Sequence, residues 1–139
     1  MNDFVFHSPT KVYFGRDQLG HLPEELARFG TKVLMVYGGG SVKRSGLYDR
    51  IKALIEEAGL TLFELGGVEP NPRHTMVNEG AALCRREGVD VVLAVGGGST
   101  IDCSKAIAAT VPSATDDVWD LIEGSVPVTD VLPVVTVLT

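Results

Sequence analysis

The sequence has little of what would hold a metal, bridge a thiol or cross a membrane. It carries three histidines in 139 residues. His7, His21 and His74 fall in separate segments without an H-x-x-x-H spacing, so no metal site can be assigned from them. Its two cysteines, Cys84 and Cys103, stand in helix-like stretches with neither a zinc nor a redox spacing. They read as buried free thiols in a reducing compartment. No apolar stretch approaches the ~20 residues of a membrane span. The start MNDFVFHSPTK lacks the basic lead and apolar core of a signal peptide, so the cytoplasm is the expected location. Basic residues number 12 against 18 acidic ones, for a net charge of −6. Only Lys43-Arg44 and Arg85-Arg86 are adjacent, which argues against a nucleic-acid partner.

What is present is an ordinary globular composition, 45 % hydrophobic and 22 % charged, with length for one domain and one core. Alternating segments at residues 4–7 and 11–14, around Ser8-Pro9-Thr10, predict an N-terminal strand pair. Apolar residues at helical spacing predict helices over 17–29, from about Gly46 to Gly59, and over 75–87, 99–110 and 116–122. Apolar runs predict strands at 32–37, 60–65, 91–95 and 131–138. Strands and helices thus alternate, and the strands are apolar on both faces. That pattern predicts an α/β, Rossmann-like, doubly wound and mostly parallel sheet with helices on both faces. The chain stops on an apolar strand that should hand over to another element, so a fragment of a longer chain is expected.

Two of the strands end in the same tetrapeptide, KVLMVY-GGGS and VVLAV-GGGS. Ligands of open parallel sheets bind beyond the carboxyl ends of the strands. At Gly96-Gly97-Gly98-Ser99 a helix follows, with Ser99 or Thr100 as the expected N-cap. Its unpaired amides and positive dipole end suit a pyrophosphate, which glycines let approach closely. Asp102 and Lys105 share one helical face, placed to meet ribose hydroxyls or a phosphate. The alternative is a plain strand-to-helix turn with Asp102 and Lys105 as a surface ion pair. A second GGGS favours a nucleotide site, and the absence of G-x-G-x-x-G excludes an ordinary Rossmann dehydrogenase. At the first turn, Gly38-Gly39-Gly40-Ser41, no carboxylate stands ready for a ribose 2′-hydroxyl. The Ser41 hydroxyl and the Lys43-Arg44 pair offer donors and positive charge instead, which favours NADP(H) over NAD(H). A plain turn with solvated basic residues stays open as the other reading.

The stretches SPTKVYFG, YGGGSVKRSGLYDRI, GGVEPNPRHTMVNEG, AVGGGSTIDCSKAIAA and VLPVVTVLT resemble, in order and spacing, the N-terminal part of the iron-containing (group III) alcohol dehydrogenases. The resemblance is to their NADPH-dependent butanol dehydrogenase and aldehyde reductase branch. It implies that residues 1–139 form the N-terminal dinucleotide-binding α/β domain of a metal-dependent alcohol dehydrogenase or aldehyde reductase. Gly97, Gly98 and Ser99 would hold the pyrophosphate, with Asp102 on the ribose side. Gly39, Gly40 and Ser41, after Gly38, would receive a 2′-phosphate. Asn71 would border the adenosine, and Thr139 would open a T-x-x-A-T-G-S-E-like segment lining the cleft. It further implies hydride transfer between nicotinamide and an alcohol or aldehyde, with Fe²⁺ or Zn²⁺ held by a helical domain absent here. No catalytic residue and no metal ligand would lie in this chain, which is expected to be inactive alone. A homodimer paired through strands near residues 4–14 is also implied.

Two rival readings remain. One is a glycerol dehydrogenase or dehydroquinate synthase-like enzyme domain on the same scaffold. The other is a truncated, non-catalytic nucleotide-binding module.

Overall fold

The computed structural model describes residues 3–139. A 3-10 turn, Gln18–His21, runs into α1 (Leu22–Ala27), and β1 (Lys32–Tyr37) follows. Then come α2 (Ser41–Arg44), α3 (Leu47–Glu57), β2 (Thr61–Leu65), α4 (His74–Glu87), β3 (Val91–Gly96), α5 (Gly98–Thr110), α6 (Val118–Glu123) and β4 (Val134–Leu138). The four strands form one parallel sheet in the order β2-β1-β3-β4. The predicted α/β class and doubly wound topology hold.

Burial explains the order. All six residues of β3 and five of the six in β1 are buried, whereas β2 and β4 are partly exposed. Strands apolar on both faces must lie in the middle, where helices cover each side. Successive side chains point to opposite faces. Leu34, Val36 and Val92 therefore pack against Val77, Cys84, Cys103 and Ile107 of α4 and α5. Val33, Met35, Val91 and Leu93 pack against Leu22 and Leu26 of α1 and Ile51 and Ile55 of α3. On the first of these faces α4 approaches closely because residue 80 lacks a side chain. A Cβ on Gly80 would stand 2.5 Å from Ile107 Cδ1 and 2.9 Å from Leu65 Cδ2. Cys84 and Cys103 are buried and unpaired, and burial pushes their thiols up to about 12 and about 11.

The predicted N-terminal strand pair is not formed. Residues 3–14 contain no strand, and Phe4, Val5, Phe6, Val12 and Phe14 are exposed. An isolated two-stranded ribbon is marginal in water, and no free sheet edge receives either segment. Side chains hold the stretch instead. Lys11 and Tyr13 both donate to Glu25 Oε1 on α1, and Tyr13 stacks on His21 with ring centroids 4.2 Å apart. The hydrogen bonds from Lys11 and then Tyr13 hold the Glu25 carboxyl down near about 2.

The helix predicted from about Gly46 is preceded by α2, which starts at Ser41. Gly46 separates the two helices.

Candidate functional site

After β1 the chain moves outward to β2, then crosses back to place β3 on the other side of β1. The crevice beyond the carboxyl ends of β1 and β3 is therefore the point where strand order reverses, the usual ligand site of such sheets. Gly38 follows β1 directly and Gly97 follows β3, so both GGGS turns open onto this crevice.

At the second turn the helix starts earlier than Ser99. Gly97, at φ −93° and ψ −164°, is the N-cap of α5, and no side chain caps the helix. The expectation of a Ser99 or Thr100 cap is corrected: they are the second and third helical residues. Ile101 N donates to Gly97 O at 3.1 Å, so that carbonyl already accepts the helix's first bond. The amides of Gly98, Ser99 and Thr100 are left without intrahelical acceptors. A Cβ built at Gly97 or Gly98 would meet nothing within 4 Å. Unpaired amides, a 13-residue helix behind them and open space in front are features that suit an anion.

The two turns meet at one side chain. Gly96 has φ +155°, and a Cβ there would stand 2.6 Å from Thr100 Oγ1, which only glycine avoids. A Cβ on Gly38 would lie 3.8 Å from the same oxygen and 3.5 Å from Val68 O. Thr100 is 5 % exposed, so it stands buried between the turns. The loop after β2 is tied here too: Gly67 N donates to Gly38 O at 3.0 Å and Val68 N to Tyr37 O at 3.2 Å. From the other side, Thr139 N donates to Gly96 O at 3.1 Å. From local sequence Thr100 stands out only as a cap; its bridging position depends on strand register, which no local signal reveals.

The first turn is built differently. Gly40 is the N-cap of α2, a helix of four residues. Gly39 is exposed, and a Cβ there would meet nothing within 4 Å. Ser41 is exposed at the start of α2. Lys43 Nζ lies over the rings of Tyr48 and Tyr37, 4.8 and 5.4 Å from their centroids. Tyr37 donates to Glu64 at 3.2 Å. The Glu64 carboxylate as an acceptor for Tyr48, and then burial, push the Tyr48 phenol up to about 12.

Asn71 is exposed with φ +55°, a left-handed conformation that asparagine tolerates. Its neighbours Pro72, Arg73 and His74 share the wall of an open cleft of about 530 Å³ with Asp102, Trp119 and Ile122. Asp102 thus faces the end of the Asn71 loop and α6, while the glycines of both turns lie outside that lining. Asp102 and Lys105 are exposed and form no ion pair with each other.

Arg85 and Asn78 tie down the segment that leads from α5 into α6. The Arg85 guanidinium donates to the carbonyls of Thr110, Val111, Ser113 and Thr115 and pairs with Asp116. Asp117 caps α6 by accepting from Trp119 N at 3.1 Å. Its carboxyl is held below its usual range, chiefly by the hydrogen bond from Asn78. No group of three or more His, Cys, Asp or Glu side chains comes together among the described residues.

The family described as iron-containing alcohol dehydrogenase matches residues 9–139. NADH-dependent butanol dehydrogenase A of Clostridium acetobutylicum is 49 % identical over all 139 residues, which cover 36 % of that protein. NADPH-dependent aldehyde reductase YqhD of Escherichia coli is 36 % identical over 141 aligned positions, spanning all of this chain and 36 % of its own length. The crystal structure of NADH-dependent butanol dehydrogenase A from Thermotoga maritima superposes with a TM-score of 0.93 at 41 % identity, covering 100 % of this chain and 35 % of that one. The chain therefore spans about a third of the length of the relatives it matches. Two glycine turns at a switch point, and a family match along nearly the whole sequence, place this chain in the iron-containing alcohol dehydrogenase family.

Proposed function

We propose that residues 1–139 are the cofactor-binding α/β domain of an alcohol dehydrogenase or aldehyde reductase that uses NADP(H). The observation that carries this reading is the convergence of both GGGS turns on Thr100 at the switch point of the sheet. The amides of Gly98, Ser99 and Thr100 receive the pyrophosphate, which Gly97 and Gly98 allow to come close. Gly38, Gly39, Gly40 and Ser41 border the 2′ position of the adenosine ribose. Asn71 borders the adenosine, Asp102 lies on the ribose side, and Thr139 closes the cleft beside Gly96. The bound nicotinamide supplies or takes up the hydride exchanged with an alcohol or aldehyde. The role of this chain is to position it, with no catalytic residue of its own.

Relatives carry both preferences in their names, NADH for the Clostridium enzyme and NADPH for YqhD. The lack of a carboxylate in the first turn, with Lys43 and Arg44 following it, supports NADP(H) here. The described side chains do not fit a metal: their histidines stay apart and no ligand cluster forms among them. On the proposed reading, Fe²⁺ or Zn²⁺ would be held by residues outside this stretch. A cytoplasmic homodimer, with the exposed apolar residues 4–14 in its interface, completes the proposal; no helix among the described residues is long and apolar enough to cross a membrane.

The test is a titration of the chain with NADPH and NADH, followed by nicotinamide fluorescence and melting temperature. A nucleotide at 100 times its dissociation constant stabilises the fold by about 2.7 kcal/mol. Binding that disappears in Ser99→Asp supports the reading. Failure of both nucleotides to bind the chain overturns it.

A further inference from the structure

We propose that Arg44, and not its neighbour Lys43, is the side chain by which the first turn distinguishes a 2′-phosphorylated dinucleotide from one without that phosphate. The inference depends on the dinucleotide reading above and assigns a discriminating residue within it.

Sequence alone treats Lys43 and Arg44 as a pair of equivalent cations. The structure separates them. Lys43 is engaged: its ammonium lies over two aromatic faces, those of Tyr48 and Tyr37. These rings meet edge to face with centroids 5.6 Å apart, and Tyr37 is fixed by its bond to Glu64. To reach a phosphate, Lys43 would give up both cation–π contacts.

Arg44 is unengaged. Its side chain is exposed and makes no hydrogen bond or ion pair among the described residues. It folds back across its own turn, so that a Cβ on Gly40 would stand 2.5 Å from Arg44 Nη1 and 3.5 Å from Cζ. The guanidinium therefore occupies the space that a side chain at residue 40 would fill. A planar fork of N–H donors matches two phosphate oxygens at once, which an ammonium cannot do. The phosphate it would read carries a charge of about −1.5 to −2 at neutral pH, and NAD(H) has none there. Gly38, Gly39, Gly40 and Ser41 are uncharged, and α2 is too short to add a useful dipole. Arg44 is thus the unengaged positive charge at the turn.

Gly40 gains a specific role from this arrangement. Its φ of −71° and ψ of −7° suit any residue, so glycine is not needed there for the backbone. It leaves the Arg44 side chain room to lie over the turn, and a side chain at residue 40 would push that flexible guanidinium aside.

The experiment measures dissociation constants of NADPH and NADH by calorimetry for the chain and for Arg44→Ala, Lys43→Ala and Gly40→Ala, at low and high salt. Arg44→Ala should weaken NADPH by about tenfold, the loss of one charge-assisted bidentate contact, and move NADH by less than about twofold. Its NADPH affinity should also lose most of its salt dependence. Gly40→Ala should weaken NADPH in the same sense by displacing the guanidinium. Lys43→Ala should change NADPH by less than about threefold, since its ammonium is engaged elsewhere. Equal losses for both nucleotides in Arg44→Ala, or a larger NADPH loss in Lys43→Ala, overturn the assignment while the dinucleotide site stands. If the parent chain binds neither nucleotide, the dinucleotide reading falls and Arg44 falls with it.

Discussion

The two GGGS turns share a tetrapeptide and little else. After β3 the glycines lead into a 13-residue helix whose first amides are bare and whose approach is open. After β1 they lead into four helical residues, with one cation stacked on tyrosines and another folded over the turn. One turn offers backbone dipoles to an anion; the other offers side-chain charge. The same four letters thus lead into two different local settings, which differ in the length of the helix that follows and in the charges it carries. On the proposed reading, the first kind holds what all nicotinamide dinucleotides share, and the second reads where they differ.

The contrast can be broken most forcefully at Ser99. Ser99→Asp puts a carboxylate among the bare amides, where repulsion of a pyrophosphate across about 4 Å is several kcal/mol at intermediate dielectric. Affinity for NADPH and NADH should both fall by at least about 100-fold in a fluorescence titration. The melting temperature should not fall, because an acidic residue in the first turn of a helix is itself favourable.

Next in size is the strand-end glycine. Gly96→Ala should destabilise the fold by about 2 kcal/mol in urea unfolding, from its positive φ and the clash with Thr100. Gly38→Ala, with ordinary contact distances, should cost less than about 0.5 kcal/mol.

Gly39→Asp sharpens the contrast from the other turn. Its side chain enters open space, so the fold should be unaffected. NADPH affinity should drop about tenfold through like-charge repulsion while NADH affinity holds or improves.

The smallest effect is on pH. Monoester phosphates take up a proton near pH 6, so the NADPH-to-NADH affinity ratio should fall about threefold from pH 8 to pH 5 in paired titrations. The N-terminal anchor does not confuse this measurement. Glu25 has a depressed pKa, so its contribution is complete above the usual carboxylate value and is lost only as pH falls toward about 2.

How much of this the sequence disclosed follows from where each signal resides. β1 and β3 were legible almost to the residue because a buried parallel strand is an unbroken apolar run closed by glycine. α2 was illegible: four residues are barely one helical turn, too few for a hydrophobic period. The N-terminal segments alternate like strands, yet alternation specifies a face and supplies no partner edge. At α5 the residues that usually cap, Ser99 and Thr100, drew the predicted start past a glycine that caps without a side chain. The glycine turns themselves were plain in the sequence. Their meeting at Thr100 was not, because it depends on the register that sets Tyr37 beside Val95. Nor could the sequence tell Lys43 from Arg44, since that difference comes from Tyr48 on a separate helix.

The central claim is that one dinucleotide spans both turns, and amide NMR of the chain during NADPH addition tests it most directly. The account predicts saturable shifts at Gly97, Gly98, Ser99 and Thr100 together with Gly38 through Arg44. NADH should reproduce the first group and weaken the second. Shifts confined to the cleft of His74, Asp102 and Trp119, or none at either turn, would contradict it.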